Sequence, residues 1–469
     1  MKKKTPVVPI VLIAATAIFA SCGDPSSPIH ATVGDWMARE AITFSVESDV
    51  DGAIDKLAAS LDGSVDLLAF GEALHGGEEI LVLRNRMFRR LVESHGFSAI
   101  AIESSFPKAH LVNEYVSGRG PASYEAIKET GFAHAAGSLE ANRELVEWMR
   151  NYNADSSRKV KVGFYGFDIP SGAMGIASPR QVLDFAVDYL ASIDSASGSD
   201  HRRRMHSLLG DDAPWENPAV YMDPSKSIAL SPAAKDLRTA TEDLIAEFRT
   251  RRPELTAKSG DEPYLEALHY AEMARQLLNF HVSMAVRKPG ESPARVLGVR
   301  DALMADNLDY IVERERGRGK VLVFAHNSHV QRGKAVWPGQ KYWGTQDPCE
   351  WWPAGALLER MMGPRYAVIG SAVGVSDDNG IGKPDSGTLE ALLSARAAPA
   401  LFIPTYRGRS FASAEIVSLP VRRSSMLNQT YAPLTPQSFT DFDWLAFLDS
   451  TAYNRGGSPL RTWDAGAKK

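Results

Sequence analysis

Beyond its first fifty residues the chain alternates between short apolar runs and stretches in which apolar residues recur every three or four positions. The runs at residues 65–70, 99–103, 160–165 and 320–325 lack the polar–apolar alternation of a half-exposed strand. They therefore predict strands buried on both faces. Helical spacing lies between them. Residues 78–95 place Ile80, Leu83, Met87, Phe88 and Leu91 on one side, with Glu78 and Glu79 at the start and Gly96 as the stop. Similar patterns cover 49–61 and 140–152. Buried strands separated by helices predict an α/β fold with a mostly parallel central sheet flanked by helices. Later strand-type runs at 366–369, 400–404 and 443–448 add to that sheet.

Between the third and fourth runs the period changes. Helical patterns at 181–191, 233–248, 264–286 and 299–315 leave little strand signal, so residues 179–315 read as an inserted helical subdomain. It divides an α/β catalytic domain into parts at 49–178 and 316–469. An aromatic-rich loop with Trp337, Tyr342, Trp343, Trp351 and Trp352 follows the fourth run.

The first residues read differently. Lys2, Lys3 and Lys4 precede a short apolar run, and Ala20 and Ser21 precede Cys22. That order is expected of a lipoprotein-type signal peptide over residues 1–22, with Cys22 as the lipidation site. The run is too short for a spanning helix. Residues 23–48 read as a tether and N-terminal extension, and the expected location is the cell envelope, facing the periplasm or the exterior. Membrane contact is expected through the lipid anchor only. With Cys22 modified, Cys349 is left without a disulfide partner, in a Trp- and Pro-rich loop that suits inert packing.

Charged residues at 23% and apolar residues at 44% fit a soluble globular chain able to bury a core. A net charge of -5 with no basic tail argues against nucleic acid as a partner.

The chemistry falls at the ends of the predicted strands. Glu72 and His75 follow the first, Glu103 closes the second, Asp168 lies beyond the third, and His326 and His329 lie beyond the fourth. Parallel sheets bind ligands outside the carboxyl ends of their strands, so four strands aim titratable groups at one edge. His75 sits in a glycine-flanked turn and titrates near neutrality, as a general base requires. Glu103, at the end of an apolar strand, needs a partner. Arg84 lies on the apolar side of its helix, which predicts a buried Arg84–Glu103 pair or a clamp for substrate oxygen. His326 and His329 are suited to an oxyanion or to a metal. Asp168, Trp337 and Trp343 are expected to line the substrate. His95, His110, His134, His201 and His269 lack comparable placement and read as surface or packing residues. Nucleophile-elbow, H-E-x-x-H, phosphate-loop and dinucleotide motifs are absent, which favours activated water over a serine nucleophile. Two other readings stay open: an envelope glycan-modifying enzyme using Glu72 and Glu103 as a carboxylate pair, and a ligand-binding lipoprotein without turnover.

The stretch GEALHGGEEILVLRNRMFRRLVESHGFSAIAIESS resembles the opening motif of the erythromycin esterase family, which also has members linked to succinoglycan biosynthesis. The resemblance continues at residues 148–153 and 164–168, at Arg300-Asp301, at AHNSHV and at 442–449. It implies hydrolysis of an ester or lactone by water, with His75 as general base. It further implies that Glu72, Arg84 and Glu103 are active-site charges and His326 and His329 the paired histidines. It implies a small-molecule substrate, macrolides among them, and no obligatory cofactor, with a divalent metal left open.

Overall fold

The computed structural model describes residues 28–171, 175–288, 290–337, 348–405, 418–458 and 460. Ten strands are present among them: β1 Ile42–Phe44, β2 Leu67–Glu72, β3 Phe97–Ser105, β4 Gly163–Asp168, β5 Lys320–His326, β6 Ala335–Trp337, β7 Cys349–Trp351, β8 Tyr366–Val375, β9 Ala400–Pro404 and β10 Trp444–Ser450. Eight build one sheet in the order β1-β9-β10-β8-β2-β5-β3-β4. The six strands from β10 to β4 are parallel, whereas β9 runs antiparallel to both of its neighbours. The sheet is thus mostly parallel and flanked by helices, as the run pattern predicts.

The buried strands sort their residues by face. Leu67, Ala69, Ala99, Ala101, Val321 and Val323 enter one core, shared with the helices between β4 and β5. Leu68, Phe70, Ile100, Ile102, Leu322 and Phe324 enter the other, shared with helices Val50–Ser60, Glu78–Ser94 and Glu140–Ala154. Each strand needs apolar side chains on both faces, and this is why its sequence shows no alternation.

Residues 180–315 contain helices Arg180–Ile193, Ser195–Leu209, Pro232–Thr250, Arg252–Ser259, Asp261–Val286 and Ala294–Glu315. They share one continuous core with the sheet face beneath them. The N-terminal extension supplies helix Pro28–Glu40, which buries Val33, Trp36 and Met37, and the edge strand β1. Part of the aromatic loop forms a small hairpin, in which β6 pairs with β7. Cys349 is buried there, and burial pushes its thiol pKa up. Cys22 and Trp343 lie outside the described residues.

Register sets the functional edge. Strands β2, β5, β3 and β4 are neighbours in that order. Glu72 pairs with His326 across β2 and β5, and Ser105 pairs with Asp168 across β3 and β4. The polar residues after four separate runs therefore stand side by side.

Candidate active site

The turn after β2 brings His75 back over its own strand. Its Nδ1 contacts the Glu72 carboxylate, while 48% of the His75 side chain remains exposed against 9% for Glu72. Its Nε2 makes no hydrogen bond to any described residue. The protein packed around the ring disfavours its charged form, but the Glu72 carboxylate, with Glu103 farther away, outweighs that and raises the pKa to about 9. Gly76, at φ 115°, permits the turn; a Cβ there would lie 2.9 Å from the Tyr453 ring.

Glu103 meets a different arginine from the one expected. Arg300, on helix Ala294–Glu315, donates from Nη2 to Glu103 Oε1 at 2.9 Å. The same guanidinium grips Asp168 with two bonds, Nε to Oδ1 at 2.8 Å and Nη2 to Oδ2 at 2.7 Å. The second Glu103 oxygen accepts from the His326 backbone N–H at 2.9 Å. Burial alone would raise the Glu103 carboxyl, but His329, His75 and Arg300 together hold it well below the usual carboxylate range. Asp168 is likewise held low against its burial, by Arg300 above all.

Arg84 is buried on the apolar side of its helix as its spacing predicts, but it does not reach Glu103. Its Nε and Nη2 donate to Asn85 Oδ1 at 3.1 and 2.8 Å, and its guanidinium lies 4.8 Å from the centre of the Phe324 ring. The expected Arg84–Glu103 pair is therefore replaced by Arg300–Glu103. The reason is topological: the helix Ala294–Glu315 packs against β3, β4 and β5 and points Arg300 at their ends. Asp168, expected on the substrate, is 1% exposed and turned onto Arg300 and the Ile169 backbone N–H.

The two later histidines have separate surroundings. His326 Nε2 donates to the Thr430 carbonyl at 2.8 Å, and its Nδ1 accepts from the Ser328 backbone N–H at 3.1 Å and lies 2.7 Å from Ser328 Oγ. Both nitrogens are occupied by these partners, leaving neither to meet an oxyanion. Burial and the neighbouring His75 lower its pKa to about 3, so the ring is neutral. His329 donates from Nδ1 to Asp301 Oδ1 at 2.9 Å. Its Nε2 lies 3.2 Å from Arg300 Nη1 and 3.4 Å from Glu103 Oε1. Burial opposes charge on His329, but Asp301 and Glu103 raise its pKa. Asp301 also accepts from Trp351 Nε1 and the Ala354 N–H.

Two further features escape the sequence reading. Thr430 and Asn428 touch the His75 turn from a distant loop. His134, read as a surface or packing residue, has an exposed ring whose Nε2 lies 3.5 Å from Asp168 Oδ2. Its backbone and that of Ala135 have positive φ, at 54° and 57°. Trp337 lies 6.4 Å from the His326 ring and 6.5 Å from the His329 ring, and it packs on Trp351 at 5.0 Å. Among the described residues no group of three or more His, Cys, Asp or Glu side chains is arranged to hold a metal ion.

Comparison with known proteins adds the following. A sequence model described as erythromycin esterase matches residues 92–451. Erythromycin esterase type II of Escherichia coli is 25% identical over 349 residues, covering 72% of this chain and 76% of that protein. The putative hydrolase YbfO of Bacillus subtilis (strain 168) is 24% identical over 387 residues, covering 78% and 80%. Among solved structures, a variant of the erythromycin esterase EreC in its open conformation superposes with a TM-score of 0.61 at 19% identity, covering 86% of this chain and 94% of that one.

Proposed function

Since this chain belongs to the erythromycin esterase family, we propose that it hydrolyses an ester or lactone with water activated by the Glu72–His75 pair. One observation carries the reading. His75 is bound by a carboxylate at Nδ1, while Nε2 has no hydrogen-bond partner among the described residues and the side chain is half exposed at the edge of the sheet. Glu72 accepts the Nδ1 proton and so fixes the tautomer in which Nε2 takes a proton from water. The hydroxide adds to the carbonyl carbon. Collapse of the tetrahedral adduct breaks the carbon–oxygen bond, and the departing alkoxide recovers the proton from Nε2. An open-chain ester yields an acid and an alcohol; a lactone yields a single hydroxy acid.

Arg300 is the cation we assign to the developing oxyanion. Its side chain is 16% exposed, and it is near enough to His75 to oppose charge on that ring. His326 is better suited to support the site than to donate into it. A glycosidase pair fits less well, because it needs one carboxyl free to protonate the leaving oxygen, and here Glu72 is engaged by His75 Nδ1 while Glu103 is held by Arg300 and the His326 N–H.

For the substrate we propose a macrolide-type lactone, with the part-exposed Trp337, backed by the buried Trp351, as its apolar wall. We also propose an envelope location through Cys22. Incubation with a macrolide and a panel of acyl esters, followed by mass spectrometry, tests the reaction. Addition of one water to the macrolide supports the whole reading. Cleavage of simple esters alone removes the macrolide, and release of reducing sugar from an oligosaccharide in place of ester cleavage sinks the esterase. Cys22→Ser should move the protein from the membrane to the soluble fraction.

A further inference from the structure

The turn that carries His75 has little structure of its own. Three of its carbonyls are bound from elsewhere: Ala73 O by the Ala432 N–H at 2.8 Å, His75 O by Asn428 Nδ2 at 2.7 Å, and Gly76 O by Asn379 Nδ2 at 3.0 Å. The His75 N–H itself donates to Thr430 Oγ1 at 2.9 Å. Each group in this network has a definite role. The Thr430 hydroxyl donates to Asn428 Oδ1 at 2.7 Å, which leaves its lone pairs for the His75 N–H. Asn428 Oδ1 also accepts the Thr430 N–H at 3.0 Å, and Asn428 Nδ2 donates to Asn379 Oδ1 at 2.7 Å. Asn428 and Asn379 are buried, so these bonds are sheltered from competing water.

Thr430 reaches the other histidine through its backbone. Its carbonyl can only accept, so it requires the proton of His326 on Nε2 and turns Nδ1 towards Ser328. The two rings so held lie 5.2 Å apart with their planes at 62°. One residue therefore sets the backbone of His75 with its side chain and the tautomer of His326 with its main chain.

We infer that Thr430, braced by Asn428, is a positioning residue that holds His75 against Glu72 and keeps its Nε2 aimed at the reacting water. This rests on the water-activating role proposed for His75. Loss of the hydroxyl frees the His75 N–H and lets the turn relax, although Glu72, Glu103, Arg300 and His326 still face the ring.

The test uses the full-length protein with selectively labelled histidine and 4-nitrophenyl acetate as the ester probe. Thr430→Val keeps the side-chain shape and removes the acceptor. It should lower kcat by about 10- to 100-fold, the scale of a misplaced catalytic group, with KM and the melting temperature close to wild type. By NMR the His75 titration should move towards the ordinary histidine range. Thr430→Ser, which retains the hydroxyl, should restore both. Wild-type kcat and an unmoved His75 titration in Thr430→Val overturn the inference. A loss that Thr430→Ser shares also overturns it, because the hydroxyl would then not be the cause. If wild-type protein leaves both the probe and a macrolide uncleaved, the esterase reading is what fails, and the NMR titration alone decides the positioning role.

Discussion

His75 and His329 each present Nδ1 to a carboxylate, Glu72 in one case and Asp301 in the other. Their surroundings then diverge. The His75 side chain is 48% exposed and its Nε2 is open, whereas the His329 side chain is 2% exposed and its Nε2 faces Arg300 and Glu103. The same chemical pair thus serves two purposes. At the rim it is the base we propose; in the interior it balances charge. The lesson is that a histidine–carboxylate contact does not define a catalytic dyad until the second nitrogen has been accounted for.

The comparison breaks most sharply in paired substitutions. His75→Ala should lower kcat/KM by about 10²- to 10⁴-fold and leave the denaturation midpoint near wild type. His329→Ala should act mainly on stability, at about 3–5 kcal/mol, because it leaves Asp301 and Glu103 buried beside a missing partner. Steady-state kinetics and urea melts on both variants check this. A His329→Ala protein as stable as wild type would rule out a structural role for the interior pair.

Arg300→Lys comes next. Lysine cannot reproduce the two bonds to Asp168 together with the one to Glu103, so a stability loss of about 1.5–3 kcal/mol is expected. An unchanged urea midpoint would show that the guanidinium geometry is dispensable.

The pH profile sharpens the rim half. A base must be neutral, and the His75 pKa is raised to about 9. The kcat/KM of the wild type should therefore climb about tenfold per pH unit below that value and level off near it. Glu72→Gln removes the carboxylate that raises the pKa, so the limb should move down by roughly two units, towards the ordinary value. A limb that stays in place would assign it to another group.

The smallest effect is on stability against pH. Because the folded His75 pKa lies above the unfolded one, its pairing with Glu72 stabilises fully below the ordinary histidine value and is lost as pH rises through about 9. Melting temperatures of wild type and His75→Ala should converge slightly over that window. Parallel curves would show that the rim pair contributes nothing measurable.

Much of this arrangement was legible in the sequence, and the reason is local. Glu72, His75, Glu103 and His326 each stand at the end of a continuous apolar run, and the run itself announces a strand buried on both faces. Arg300 was not legible as a partner. It is 197 residues from Glu103, on a helix whose pattern reports only that it is amphipathic. Arg84 was placed correctly on the apolar side, yet spacing along a helix does not say that Asn85 and Phe324 would be its neighbours. Thr430 and Asn428 sit in a loop without period, where polar residues are ordinary. His134 acquires its place from a positive-φ backbone that no composition signal marks.

The loop that straps the His75 turn has a consequence for how the molecule comes to be active. The bond between His75 and Thr430 joins residues 355 positions apart, and the one between Glu103 and His326 joins residues 223 apart. Translation supplies the N-terminal part first, so a nascent chain possesses the proposed proton acceptor His75 long before it owns the loop that binds its turn. Contacts of such long range also close slowly. Catalytic competence is thus among the last properties the polypeptide gains, and turnover can serve as a direct assay that synthesis and folding have both run to completion.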